Sequence, residues 1–186
     1  MANRIISDED FLAAALELFR TYGFDGVSLK QLADATGLEK ASLYYRYPGG
    51  KDEIVIAAAR EVAKWFQENL IEPLKGGGST RKRILATAER LREFYFGGSK
   101  ACVTDVLSLP GGPDKLRTAL KGVMEALIQS FTEVARESGL SPSLARSRAE
   151  EALVRIEGSL VVARVLRDTS PFERSLKALP ELLTKS

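Results

Sequence analysis

Apolar side chains recur at intervals of three and four along most of this chain, the spacing of one face of an α-helix. Phe11, Ala15, Leu18, Phe19 and Tyr22 form the first such stripe. Ser7 stands before it as a cap, and Asp8-Glu9-Asp10 bring negative charge to the positive helix end. Gly23 and Gly26 bracket a turn into Ser28, which with Gln31 makes a capping box. Leu32 and Ala33 give this second helix its apolar edge, and Gly37 is placed for a left-handed exit. Leu43 and Tyr47, four apart, define the inward edge of a third helix starting near Glu39 or Lys40. Tyr47-Pro48-Gly49-Gly50 then breaks the chain.

From Lys51 or Asp52, the positions Ile54, Ala58, Val62, Trp65, Phe66 and Leu70 predict a longer helix stopped by Pro73. The Gly-rich stretch Lys75 to Ser79 is a flexible turn, and Ser79 or Thr80 caps a helix carrying Ile84, Leu85, Ala88, Leu91, Phe94 and Tyr95. Ala101 to Leu109 fits a buried helix or a strand by periodicity, and its helical neighbours select helix. Pro110-Gly111-Gly112-Pro113 breaks the chain, with Pro113 suited to a first helical position, before a long stripe from Leu116 to Val134 ending at Gly139. Ser141-Pro142 restarts a helix running to Leu166, with Gly158-Ser159 in its middle. Ser170-Pro171-Phe172-Glu173 combines a cap, a first-turn Pro and a capping-box Glu, and Pro180 should kink that last helix. The expected fold is all-α with about nine helices: an N-terminal three-helix helix-turn-helix domain over residues 1–50 and a C-terminal helical bundle over 51–186.

The short pair of helices carries the most specific chemistry. With Leu43 and Tyr47 inward, a rotation of about 100° per residue points Ala41 and Tyr45 outward, with Ser42 and Tyr44 on the flanks. Lys40 opens this face, Arg46 lies on its shoulder, Lys30 opens the preceding helix and Lys51 follows the unit. Such a face suits a DNA major groove, where the first residues of a recognition helix reach base edges while Tyr, Ser, Lys and Arg bind phosphates. An ordinary helical hairpin with a solvated face is the plainer alternative. Arg4 lies on a short leader, read either as a frayed terminus or as an arm touching DNA.

Residues 8 to 54 resemble the DNA-binding domain of the TetR (tetracycline repressor) family, and Gly37-Leu38-Glu39-Lys40-Ala41-Ser42-Leu43-Tyr44-Tyr45-Arg46-Tyr47-Pro48 resembles its recognition-helix signature. The resemblance implies base contacts from Lys30, Lys40, Ala41 and Ser42, and DNA-backbone contacts from Ser28, Tyr44, Tyr45, Arg46 and Lys51. Glu39 departs from the Ser or Thr that many members place there, and Gly49-Gly50 makes the link to Lys51 one residue longer than usual. The resemblance also implies an effector pocket in the C-terminal domain, whose filling moves the helix after residue 50 as a lever. Candidate lining residues are Trp65, Phe66, Phe94, Tyr95, Cys102, Val106, Met124 and Phe131, each of which also fits plain core packing. Their aromatic character suits a small apolar or aromatic effector.

Groove-reading helix-turn-helix proteins commonly act as pairs on palindromic sites. The last two helices offer a self-complementary surface: Ala152, Ile156, Gly158, Ser159, Leu160, Ala163, Leu176, Leu179 and Leu183, with intrachain core as the alternative reading. The expected partners are double-stranded DNA, a second copy of the chain and a small effector. Composition changes little. A net charge of +2 is uninformative, and residues 1–51 hold six bases against seven acids, so position matters more than sum: three acids crowd the first turn while four bases lie from Lys30 to Lys51.

With no His and one Cys, a soft-metal site, a His-based triad and an internal disulfide are excluded, and no cofactor is expected. Cys102 as a redox switch lacks a supporting neighbour. The longest apolar run, Ile54 to Ala59, is far short of the about 20 residues that span a bilayer, and residues 1–10 lack a signal-peptide core, so a cytoplasmic protein is expected. Two other readings compete with a DNA-binding regulator: an all-α enzyme using carboxylates such as Asp105 or Glu125, and a helical protein-interaction module.

Overall fold

Ser7 opens the first helix, its Oγ accepting from the Asp10 amide at 3.1 Å. In the computed structural model, which describes residues 6–185, every regular element among the described residues is helical. The order is α1 (Asp8–Gly26), α2 (Leu29–Thr36), α3 (Lys40–Arg46), α4 (Gly50–Phe66), a wide π turn (Gln67–Ile71), α5 (Glu72–Lys75), α6 (Thr80–Phe94), a 3-10 turn (Phe96–Gly98), α7 (Val103–Ser108), α8 (Asp114–Glu137), α9 (Pro142–Leu166) and α10 (Ser170–Thr184). Since α4, the π turn and α5 follow without a break, the described helical passages number nine, in the all-α arrangement expected. Arg4 lies outside the described residues.

The chain forms two compact units. The first holds residues up to Ala63 together with Val103–Lys121, and the second holds Lys64–Cys102 and Gly122–Ser186. The first unit therefore runs past residue 50 and takes in α7 and the start of α8. Its core is Phe11, Ala15, Phe19, Leu32, Leu43, Ile54, Val55 and Ala58, joined by Val103, Leu107 and Leu116. Helix α7 packs on α1. On the α7–α8 loop Gly111 has a φ of +115, a backbone conformation that favours glycine, and a Cβ there would press on the Asp25 carboxylate at the end of α1. In the second unit α10 lies against α9 and α6, and α5 lies against α6. Arg83 is buried there, donating to the Leu74 carbonyl and to Glu137.

Three local expectations need correction. Pro73 does not stop the helix that begins at Gly50. The wide turn before it, closed by the Glu72 amide on the Gln67 carbonyl, lets Pro73 enter as a first-turn residue of α5, where its missing N–H is harmless. The same turn keeps Phe66, Leu70 and Leu74 buried together, whereas eight residues of unbroken α-helix would rotate the last about 80° from the first. Second, Pro113 caps α8 rather than entering it, its carbonyl taking the Arg117 amide at 3.4 Å.

Third, the capping box at Ser170 does not form. Ser170 lies inside α10 behind a Thr169 cap, with its amide on Asp168 Oδ1 at 2.9 Å, and Glu173 bonds Arg92 instead. Pro180 is carried within α10.

Candidate nucleic-acid interface

The site is built by two helix ends that the sequence specifies closely. Ser28 Oγ accepts from the Gln31 amide at 3.2 Å while Gln31 Oε1 accepts from the Ser28 amide at 2.8 Å, so two amides with no partner inside the helix are satisfied together. At the other end Gly37 turns left-handed, φ 68 and ψ 17, and the Leu38 amide reaches back to the Ala33 carbonyl at 3.2 Å. This sharp exit sets α3 against α2 after a three-residue link. Leu43 is fully buried and Tyr47 nearly so, its ring stacked on Phe11 with centroids 5.2 Å apart. Burial, reinforced by the Asp8 carboxylate, pushes the Tyr47 phenol up from its ordinary pKa, so it stays neutral.

With that edge fixed, the opposite face of α3 is solvent-facing. Lys40 and Ala41 are exposed, Ser42 is half-buried, and Tyr44 and Tyr45 are 53% and 90% exposed. Lys30 and Ser28 are exposed at the start of α2, although the Ser28 hydroxyl also donates to Gln31 Oε1 at 2.8 Å. The other two bases turn back onto the protein. Arg46 donates to the Ile6 carbonyl at 3.0 Å and pairs with Asp8 at 3.3 Å. Lys51 donates to the Phe24 carbonyl at 3.0 Å, with its ammonium 4.2 Å from the centre of the Phe24 ring. The longer link at Gly49-Gly50 is absorbed by a turn, with the Gly50 amide on the Tyr47 carbonyl at 2.8 Å and the Gly49 amide on Glu53 Oε2 at 2.8 Å.

Phe24 and Ile6 thus help to hold the basic side chains, and neither was picked out from the sequence. The aromatic residue set between Gly23 and Gly26 was the available signal for Phe24; for a bare carbonyl at Ile6 there is none. Glu39, as its departure from the family pattern suggested, caps α3 without any side-chain bond.

In the second unit, Trp65, Phe66, Phe94 and Tyr95 are brought together. Trp65 and Phe94 centroids lie 4.5 Å apart, Phe66 and Phe94 5.0 Å, Phe94 and Tyr95 5.0 Å, and Tyr95 continues to Phe172 at 5.8 Å. The Cys102 sulfur is buried 3.4 Å from the Tyr95 hydroxyl. Phe131 is buried and Met124 half-buried in this unit. Val106 belongs to the first unit, where its methyl lies 3.8 Å from the Cβ position of Gly23.

Of the residues proposed for self-association, Ala152, Ile156, Ser159, Leu160, Ala163, Leu176, Leu179 and Leu183 are buried within the single chain. Gly158 is exposed, with open space where a Cβ would stand. Around it α9 carries an apolar stripe that no sequence argument separated from the core: Val154, Val161, Val162 and Val165, with Leu166 beside them, all exposed. Positions 154, 158, 161, 162 and 165 share one helix face.

Comparison with known proteins agrees with this geometry. Residues 11–58 match the model described as bacterial regulatory proteins, tetR family, and residues 80–178 match the LmrA/YxaF-like transcriptional regulator C-terminal domain. The HTH-type transcriptional regulator LmrA of Bacillus subtilis is 27% identical over 188 residues, covering 96% of this chain and 97% of that protein. The HTH-type transcriptional regulator YxaF of the same organism is 26% identical over 194 residues, covering 100% and 99%. Among solved structures, a TetR transcriptional regulator from Legionella pneumophila superposes with a TM-score of 0.83 at 20% identity, over 96% of this chain and 98% of that one, a likeness of fold. A capped helix-turn-helix with an outward phenolic face, joined to a C-terminal domain of this matched type, makes the chain a helix-turn-helix transcriptional regulator of the TetR family.

Proposed function

We propose that the protein is a cytoplasmic repressor that binds a palindromic operator as a homodimer and is released by a small apolar or aromatic effector. The observation that carries this is the solvent-facing set Lys40, Ala41, Ser42, Tyr44 and Tyr45 on a helix whose other edge is locked in the core. Lys40, Ala41 and Ser42, at the start of α3, meet base edges with Lys30, while Tyr44, Tyr45 and Ser28 hold phosphates. Arg46 and Lys51 brace the turns that present this face, and their phosphate contacts are secondary. In functional terms residues 1–50 read DNA and 51–186 sense and dimerise. The exposed α9 stripe is the surface that pairs two copies, because an isologous contact needs an apolar patch that meets itself and Gly158 lets two backbones approach. The aromatic group at Trp65 and Phe94 supports an apolar effector in the second unit.

Fluorescence anisotropy on a selected palindromic site tests the reading. Wild type binds tightly with a salt-dependent affinity, and Lys40→Ala and Tyr44→Ala each weaken binding about tenfold or more, a loss in the range of one good recognition contact. Equal binding by wild type and both variants would reject it.

A further inference from the structure

Phe96, Gly97 and Gly98 are three successive left-handed residues, with φ of 49, 65 and 93, and Phe96 alone of them carries a side chain. For a bulky residue such a backbone is costly, and it is kept where surrounding structure or a function requires it. Packing within the chain does not supply the reason. Phe96 is 62% exposed, the one exposed aromatic among the described residues of the second unit, and the Lys100 ammonium stands over its ring 3.9 Å from the centre. The Ser99 hydroxyl donates to the Phe96 carbonyl at 2.9 Å, which holds the turn with the ring still in water.

The place of this turn shows what the ring is offered to. It packs against α9 and α10, and Gly98 abuts Phe172 in the first turn of α10, which follows α9 after a three-residue link. Phe96 therefore lies at the C-terminal end of α9, where Val161, Val162, Val165 and Leu166 are exposed. Those side chains belong to the stripe proposed to pair two copies. Alone they make a narrow patch against the about 800 Å² per partner of a stable interface, and aromatic residues are what such interfaces gather.

Charge selects how two such stripes meet. Set parallel, Lys100, Arg164 and Arg167 would face their own copies, and like charges repel. Set antiparallel, that basic end meets the start of the stripe, where Val154 is 70% exposed and Glu150 and Glu151 balance Arg146 and Arg148. We propose that Phe96 anchors the pairing of two copies, its ring seated on Val154 of the partner subunit. The inference rests on the α9 pairing proposed above and adds the residue that completes it. The contact offsets the cost of the left-handed backbone.

The test is sedimentation equilibrium of the full-length protein carrying Phe96→Gly, Val154→Ala or both. Phe96→Gly should weaken the dimer about tenfold or more, the scale of a well-placed interface side chain. The double variant should lose less than the two single losses combined, because either change alone breaks the shared contact. Glycine suits a left-handed backbone, so in the monomer made by Val161→Glu with Val165→Glu the same Phe96→Gly should leave the urea midpoint level or higher. A ring that only packed its own subunit would lower that midpoint, and such a fall overturns the proposal. A dimer unchanged by Phe96→Gly also overturns it while leaving the α9 pairing intact, and fully additive losses overturn the seat on Val154. A wild type that sediments as a monomer, or a pair that survives both glutamates, ends the α9 pairing and the anchor together.

Discussion

Gly98 is a residue with two independent constraints. Its φ of +93 is left-handed, and a Cβ there would stand 2.8 Å from the Phe172 ring. Gly98→Ala should therefore destabilise by about 2–4 kcal/mol, strain and overpacking together, seen as a lower urea midpoint; an unchanged midpoint would refute the packing described. Glu39 offers the reverse case. It caps α3 with no side-chain bond, so Glu39→Ser should raise stability by about 1 kcal/mol in the same measurement.

Glu173 shows why one motif formed and its twin did not. Ser28 with Gln31 and Ser170 with Glu173 have the same local spacing, yet Arg92 on α6 takes the Glu173 carboxylate at 2.9 Å and leaves Ser170 to Asp168. A partner 81 positions away is invisible to any pattern four residues long. The Arg92 hydrogen bond holds Glu173 below the usual carboxylate range. Because the folded pKa is the lower one, the unfolded chain takes up the proton first. The pair's contribution is thus present above about pH 4.3 and fades as acid titrates the folded carboxylate. Glu173→Gln should flatten the fall of the urea midpoint between about pH 5 and pH 3; a parallel fall in both proteins would remove the pair from the account.

Among elements, α2 and α3 were legible because their signals are local: a capping box, a left-handed glycine and two inward residues four apart. Helix α9 was not, because its apolar residues run round most of its circumference. Ala152, Ile156, Leu160 and Ala163 face α10 and the core, and the same periodicity gives no means of telling them from Val154, Val161 and Val165 on the open side. The distinction depends on which face α10 covers, a tertiary fact. If the open stripe pairs two copies, Val161→Glu with Val165→Glu should give a monomer in sedimentation equilibrium with its helical circular dichroism intact. A dimer that survives both substitutions would place the contact elsewhere. Pro73 belongs to the same lesson. Its stop signal is sound for an α-helix, but a wide turn changes which carbonyl its ring would strike.

At the scale of the whole molecule, the helical class was readable from periodicity, while the division into units was not. Val103–Lys121 returns to the first unit after Lys64–Cys102 in the second, and nothing in composition or charge marks either crossing. No described helix is long and apolar enough to cross a membrane. The turning-in of Arg46 and Lys51 also bears on how such a regulator would find its target. Their cations are partly spent on Asp8, Ile6 and Phe24, leaving Lys30 and Lys40 as the bases that point freely outward from the reading face. Each phosphate neutralised contributes about 0.9 to the slope of log affinity against log salt, so even with Lys30 and Lys40 of both subunits each neutralising a phosphate beside its base contact, the slope should be no steeper than about −4. A slope of twice that would mean Arg46 and Lys51 swing out on encounter. With so few counterions released, random chromosome would hold such a regulator only briefly, and the time lost on wrong addresses would be short.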